Sequence, residues 1–243
     1  MAAVEVLDLT EPTVQTSDTA CWLLSTIEGL RSGGHLQALL ARDVVVQEGG
    51  WQTSAGTTGR VIGNRGLPRW QQVLESVFSG RHPGSRRRGF QEQVPPAFGM
   101  GMKGRAAAIE SYFQLISTNI RVSCSMITPR IGLPAESMVN FLGSKTNAGK
   151  GDSREQQTVR VLVAQTNFED CERAHAIAVH ASAFDGKRLV LQTYDQKFGE
   201  AGKYTVRCGA TAKQSFALPT CPWKDGTPTK CDGVVKVAFE GLP

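Results

Sequence analysis

The chain has 243 residues, with 27 Lys or Arg against 22 Asp or Glu, a formal charge of +5 and a pI near 9.0. Hydrophobic residues make up 40% and charged residues 20%, enough apolar matter for a core, which excludes global disorder. No window approaches the ~18 unbroken apolar residues of a membrane helix. The opening residues carry no basic-then-apolar leader, so neither membrane insertion nor a signal peptide is expected. The length suits one large domain, or one domain with an extension.

Residues 1–17 read as a flexible lead. Ser17 or Asp18 is placed to N-cap a first helix with Trp22, Leu23, Ile27 and Leu30 near one face. Ser32 to His35 breaks it, and Leu36, Leu39 and Leu40 mark a short second helix. Val44 to Val46 reads as a strand, and the glycine-dense stretch from Gly49 to Gly66 as loop or irregular hairpin. Pro68 opens a third helix whose Trp70, Val73, Leu74, Val77 and Phe78 form an amphipathic stripe. A basic loop spans Ser79 to Gly89. Lys103 to Arg105 opens a fourth helix carrying Ile109, Tyr112, Phe113 and Ile116. The chain then turns to strands at Ile120–Ile127, Met138–Leu142 and Val159–Thr166, with a polar loop over Ser144–Gln157. Ala174–Phe184 and Lys187–Tyr194 flank Asp185-Gly186, a strong hairpin signal because both turn residues accept positive φ. Tyr204–Cys208 and Val234–Phe239 add further strands. Helices first and an antiparallel meander after is an α+β pattern.

The six cysteines lack zinc-ribbon or redox spacing, and free thiols are expected. Cys208, Cys221 and Cys231 read as buried small hydrophobes, with no metal site expected. Walker, dinucleotide and nucleophile-elbow motifs are missing, and Gly99–Gly104 follows no strand, so no cofactor is expected. His175 and His180 are five apart, which puts them on opposite faces of a strand and offers at most one pocket histidine. No close pairing of a carboxylate with a histidine is evident, and the reading leans away from catalysis.

Val6-Leu7-Asp8-Leu9-Thr10, flanked by Glu5 and Glu11, resembles a SUMO-interacting motif. Such a segment binds by adding a strand to an exposed sheet edge while alternate apolar side chains fill a groove. The alternative is that Val4 to Leu9 is simply the first strand of the fold. Arg86, Arg87 and Arg88 form a positive patch suited to phosphate contact or nuclear import, or to a plain solvated loop.

Three stretches carry a wider likeness. They are Trp22 to Val46 after Cys21, Gly104 to Ile116, and Phe184 to Phe198, where a strand-turn-strand ends in an aromatic-Asp step. In this order the chain, over about residues 18–200, resembles the nuclear transport factor 2-like family. The resemblance implies helices wrapped on a curved antiparallel sheet, a cone around an apolar pocket, with an insertion at about 49–102 and an extension over 201–243. It further implies a non-enzymatic protein-interaction module in the nucleus, with SUMO or a homodimer partner. One rival is a small-molecule isomerase, cyclase or hydratase, for which Asp43, Tyr112, His180, Tyr194 and Asp195 are the pocket candidates. The other is a basic RNA-associated or viral structural protein acting through Arg86–Arg88.

Overall fold

Two periodicities organise the chain. Apolar residues at helical spacing dominate before residue 120, and alternating strands dominate after it. The computed structural model describes residues 3–83, 89–97, 100–127, 141, 158–166, 175–184, 188–199, 203–209, 216–218 and 229–243. Ser17 caps a short 3-10 turn, Asp18–Ala20, that leads into α1, Cys21–Ser32. Then follow α2 (His35–Asp43), α3 (Arg69–Ser79), the single turn α4 (Phe90–Gln93) and α5 (Met102–Phe113). The strands are β1 (Val44–Gln47), β2 (Gly50–Thr53), β3 (Thr58–Arg60), β4 (Arg121–Ile127), β5 (Val159–Thr166), β6 (His175–Phe184), β7 (Arg188–Tyr194), β8 (Lys203–Gly209), β9 (Phe216–Leu218) and β10 (Thr229–Glu240).

The architecture is therefore α+β, with helices packed on antiparallel sheet. The glycine-dense stretch forms a small sheet β1-β2-β3. Its first hairpin turns at Glu48-Gly49, with φ of 50° and 74°, the positive values that a tight two-residue turn demands. The larger sheet runs β4-β10-β5-β6-β7-β8, with β9 paired to β10. Residues 201–243 are thus no appended extension. They supply β10, which enters between β4 and β5, pairing Val237 with both Cys124 and Val161. The expected strand at 138–142, the loop at 144–157 and the Asp185-Gly186 turn lie outside the described residues.

Two further expectations change. The first helix was read as one-faced, yet every residue of α1 from Cys21 to Leu30 is buried. A helix covered on all sides is an interior element, and α1 packs on the strands β5 and β6 and against α2. The flexible lead is also pinned in place. Leu7 and Leu9 join the core, Glu5 N donates to Val46 O at 2.9 Å, and Glu5 pairs with Arg69 at 2.7 Å. A segment carrying two core leucines gains more by burial than it loses in chain entropy.

The stripes on α3 and α5 face inward together. Phe78 lies 5.3 Å from Tyr112 and 5.4 Å from Phe113, and Phe113 lies 5.2 Å from Phe239 of β10. Replacing fully buried Phe113 with Ala is expected to cost ~3–5 kcal/mol, measured by urea unfolding. Val45→Ala, on an exposed position, is the control and should change stability by less than ~0.5 kcal/mol.

Candidate functional site

Cys21 is the first residue of α1. Backbone N–H groups of a first helical turn lack intrahelical acceptors, and the helix dipole places partial positive charge there. His175 opens β6, and Asp195 directly follows β7. Because β6 and β7 pair antiparallel, with Ala178 opposite Tyr194, both residues reach the same end of the hairpin. The His175 Nε2 lies 3.0 Å from each carboxylate oxygen of Asp195. Asp195 Oδ1 also accepts the Lys197 N–H at 3.0 Å. Cys21, His175 and Asp195 are exposed by only 7%, 4% and 3%.

Burial alone would push the His175 imidazole toward its neutral form. The hydrogen bond and charge of Asp195, with the Cys21 sulfur in electrostatic reach, outweigh it and raise the pKa to about 10. His175 is therefore an imidazolium at neutral pH, set between a carboxylate and a thiol. Arg105 of α5, 1% exposed, donates from Nη1 to Gln165 Oε1 at 2.7 Å and stands within electrostatic reach of Cys124 and Cys21.

Glutamine side chains fix this corner. Gln196 Nε2 lies within hydrogen-bond distance of Gln15 Oε1, Cys21 O, Ser25 Oγ and Ala176 O, at 2.8–3.1 Å. One amide thus touches the N-terminal strap, the start of α1 and β6. The strap, residues 13–19, is gripped in turn. Gln71 accepts from Val14 N at 2.9 Å and donates to Val14 O at 2.7 Å, doing the work of a neighbouring strand. Gln91 Oε1 accepts from Thr16 N and Ser17 N, at 2.6 and 3.0 Å. Both amides donate to Glu75 Oε1, at 2.7 and 2.9 Å. Glu28, fully buried, accepts from Thr13 N and Oγ1, pairs with Arg31 at 2.8 Å and contacts His180 at 2.8 Å.

The five pocket candidates separate into groups. Asp195 meets His175, while His180 stacks on Tyr194 with ring centroids 5.4 Å apart and reaches Glu28. Tyr194 Oη donates to Thr13 O at 3.5 Å. Asp43 instead pairs with Arg42 and Ser54, and Tyr112 with His82 under the Arg81 guanidinium. None of the five lines the cleft of about 680 Å³ that Trp51, Arg60, Glu75 and Phe90 border. The expectation that no carboxylate–histidine pair forms is corrected by His175 and Asp195. In the Val6–Thr10 motif, Val6 is 88% exposed, but Leu7 and Leu9 are buried and Asp8 caps Thr10, so groove-filling leucines are committed to the core. Arg86, Arg87 and Arg88 lie outside the described residues. Among the described residues no group of three or more His, Cys, Asp or Glu is placed to hold a metal ion.

Cys21 and His175 as a pair were missed from sequence, yet signals existed. Cys21 follows the Ser17-Asp18 helix-start signal, and His175 opens an alternating strand. The antiparallel pairing of β6 with β7 also returns the chain to the level of His175 near Asp195. No protein-family model, no curated protein and no solved structure matches the chain.

Burial pushes the Glu75 carboxyl up to about 7, against the two amide hydrogen bonds that favour its ionised form. An acid with a raised folded pKa adds stability below its unfolded value, and that contribution is lost as pH rises through the folded value. Unfolding free energy should therefore fall between about pH 4.5 and 7 by on the order of 3 kcal/mol from this group. Glu75→Gln keeps an acceptor for both amides. Its stability relative to the parent should rise over that window and level off above it, as read by urea unfolding at pH 5 and pH 8.

Proposed function

We propose that the protein is a cysteine-nucleophile hydrolase acting on acyl bonds, with peptide amides as the substrate class. The observation that carries this reading is a buried His175–Asp195 pair, with both Asp195 oxygens 3.0 Å from Nε2, within electrostatic reach of a thiol at the start of the buried helix α1. Nucleophile, base and orienting group in this relation recur on unrelated folds wherever acyl transfer is catalysed.

The roles follow from the geometry. Cys21 as thiolate attacks the acyl carbon and forms the Cys21 Sγ–carbon bond. Negative charge develops on the carbonyl oxygen, and this reading requires N–H donors near Cys21 to stabilise it. Gln15 is one such donor. Its carboxamide carries two N–H groups, of which one is used, to Ser17 O at 2.8 Å, among the described residues. As the tetrahedral species collapses, His175 gives its Nδ1 proton to the leaving amine. It then takes a proton from the water that releases the acyl group and restores the thiol. Asp195 orients the imidazole through its contacts with Nε2. Gln196 is a positioning residue, holding Cys21 against β6.

The two described free thiols give an internal control. Burial pushes Cys124 up to about 11, with Arg105 opposing, so it should resist alkylation at neutral pH. Iodoacetamide with peptide mapping is expected to modify Cys21 much faster than Cys124, and His175→Ala should slow Cys21 selectively. On a panel of peptidyl coumarin amides, Cys21→Ala should abolish turnover. Asp195→Asn should lower kcat on the order of 10²–10⁴-fold. Equal alkylation of the two thiols, unaffected by His175→Ala, would refute the reading.

A further inference from the structure

A second opening lies at the far end of α1 from Cys21. The pairing of β5 with β6 stops at Leu162 and Val179, and β6 shifts register against β7 between Val179 and Ala181. Beyond that point β5 continues along β10, with Arg160 opposite Ala238, while β6 follows β7. The two strands part, and the turn after α1 closes one side. The resulting cavity is about 220 Å³, below the roughly 300 Å³ at which pockets begin to suit drug-sized ligands.

Its lining is basic. Ser32 and His35 come from the α1–α2 turn, Arg160 from β5, His180 and Ser182 from β6, and Lys236 from β10. No Asp or Glu belongs to that lining among the described residues. Arg160 has no ion-pair partner among them. Glu28 lies behind His180, with both oxygens engaged by Arg31, Thr13 and His180. Lys236 donates from Nζ to Phe141 O at 3.0 Å and sits 4.7 Å from the Phe141 ring centroid, which holds the ammonium in place. Burial and the Arg160 charge both lower its pKa. Two cations converging on one cavity without a lining carboxylate repel each other, and an anion between them relieves that repulsion.

We infer that this gap binds a phosphate-type oxyanion, held by the Arg160 guanidinium and the Lys236 ammonium with the Ser182 hydroxyl as a further donor. Guanidinium forks match tetrahedral oxyanions in bidentate fashion, and an ammonium serves as a point charge beside them. A carboxylate presents only two oxygens and would leave donors on the opposite wall unmet. The phosphate comes either as a free ion or as one group of a nucleic-acid backbone. The inference is independent of the Cys21 chemistry.

The test uses the full chain. Inorganic phosphate is titrated by calorimetry, and a labelled single-stranded oligoribonucleotide by anisotropy, with and without phosphate. The expected result is saturable phosphate binding that weakens at least about tenfold in R160Q/K236Q, with thermal melting unchanged. Displacement of the oligonucleotide by phosphate, with a salt slope reduced by about one in R160Q or in K236Q, identifies backbone phosphate. Phosphate binding with no displaceable oligonucleotide identifies the free ion. Absence of phosphate binding at millimolar concentration, or equal binding by R160Q/K236Q, overturns the inference. Should R160Q/K236Q fail to fold, S182E places a carboxylate on the same exposed rim. It is expected to produce the same loss, and unchanged binding there overturns the inference equally.

Discussion

The close seating of α1 on β5 and β6 is the constraint from which the rest follows. At Gly29 a Cβ would stand 3.0 Å from the Val161 Cβ, so helix and sheet approach closely enough that any added side chain would force Val161 to give way. Burial of Trp22, Leu23, Leu24, Ile27 and Leu30 against both layers fixes the helix axis. Truncating any one of these would cost a few kcal/mol, out of a total stability of roughly 5–15 kcal/mol. An axis fixed in this way delivers the thiol of Cys21 to the mouth of the β6–β7 hairpin. The same seating carries the opposite end of the helix to the place where β5 and β6 part.

An interior helix leaves no solvent for polar side chains, yet α1 contains Ser25, Thr26 and Glu28, all buried. Ser25 Oγ bonds to Cys21 O and Ala176 O, Thr26 Oγ1 to Trp22 O, and Glu28 to four groups. An unmatched buried polar group would cost about 1–3 kcal/mol, so each of these partners is part of the fold's energetics. The same logic explains the glutamines. Residues 13–17 cross the structure without a strand partner, and buried peptide groups demand hydrogen bonds. Gln71 and Gln91 satisfy them with neutral amides. A charged residue in those places would impose its own field beside His175 and Asp195. Neutral clamps leave the electrostatics of that corner to the imidazolium, the carboxylate and the Arg105 guanidinium.

Local periodicity was legible and three-dimensional convergence was not. Trp70 to Phe78 and Ile109 to Phe113 announced α3 and α5 because helical spacing alone requires it. Val159 to Thr166 and the two arms around Asp185-Gly186 announced their strands by alternation and turn chemistry. The burial of α1 on all sides was missed because Ser25, Thr26 and Glu28 look like a solvent face until their partners are known. The central position of β10 was missed because a sheet does not require its last strand to lie at the edge. The five-residue spacing of His175 and His180 was read as excluding cooperation, and the two rings indeed serve different carboxylates. That spacing could not reveal that one of them meets a cysteine from the opposite end of the sequence.

The strap that carries Gln15 toward Cys21 is held by two carboxyls driven in opposite directions. Burial would raise Glu28, but hydrogen bonds from Arg31, His180 and the Thr13 backbone lower it to about 2. Its contribution is complete above the unfolded value near 4.5 and disappears as pH falls through about 2. Glu75 works the other way, contributing most when protonated and losing that contribution as pH rises through about 7. Thr13 is therefore best anchored above the acid range, and the Val14–Ser17 stretch below neutrality. The two conditions overlap in mildly acidic solution. There the strap is most firmly seated while His175, raised to about 10, still carries its proton. The ionisation states that seat the strap and the one that protonates His175 thus coincide in one pH interval, although they belong to residues on different elements of the fold.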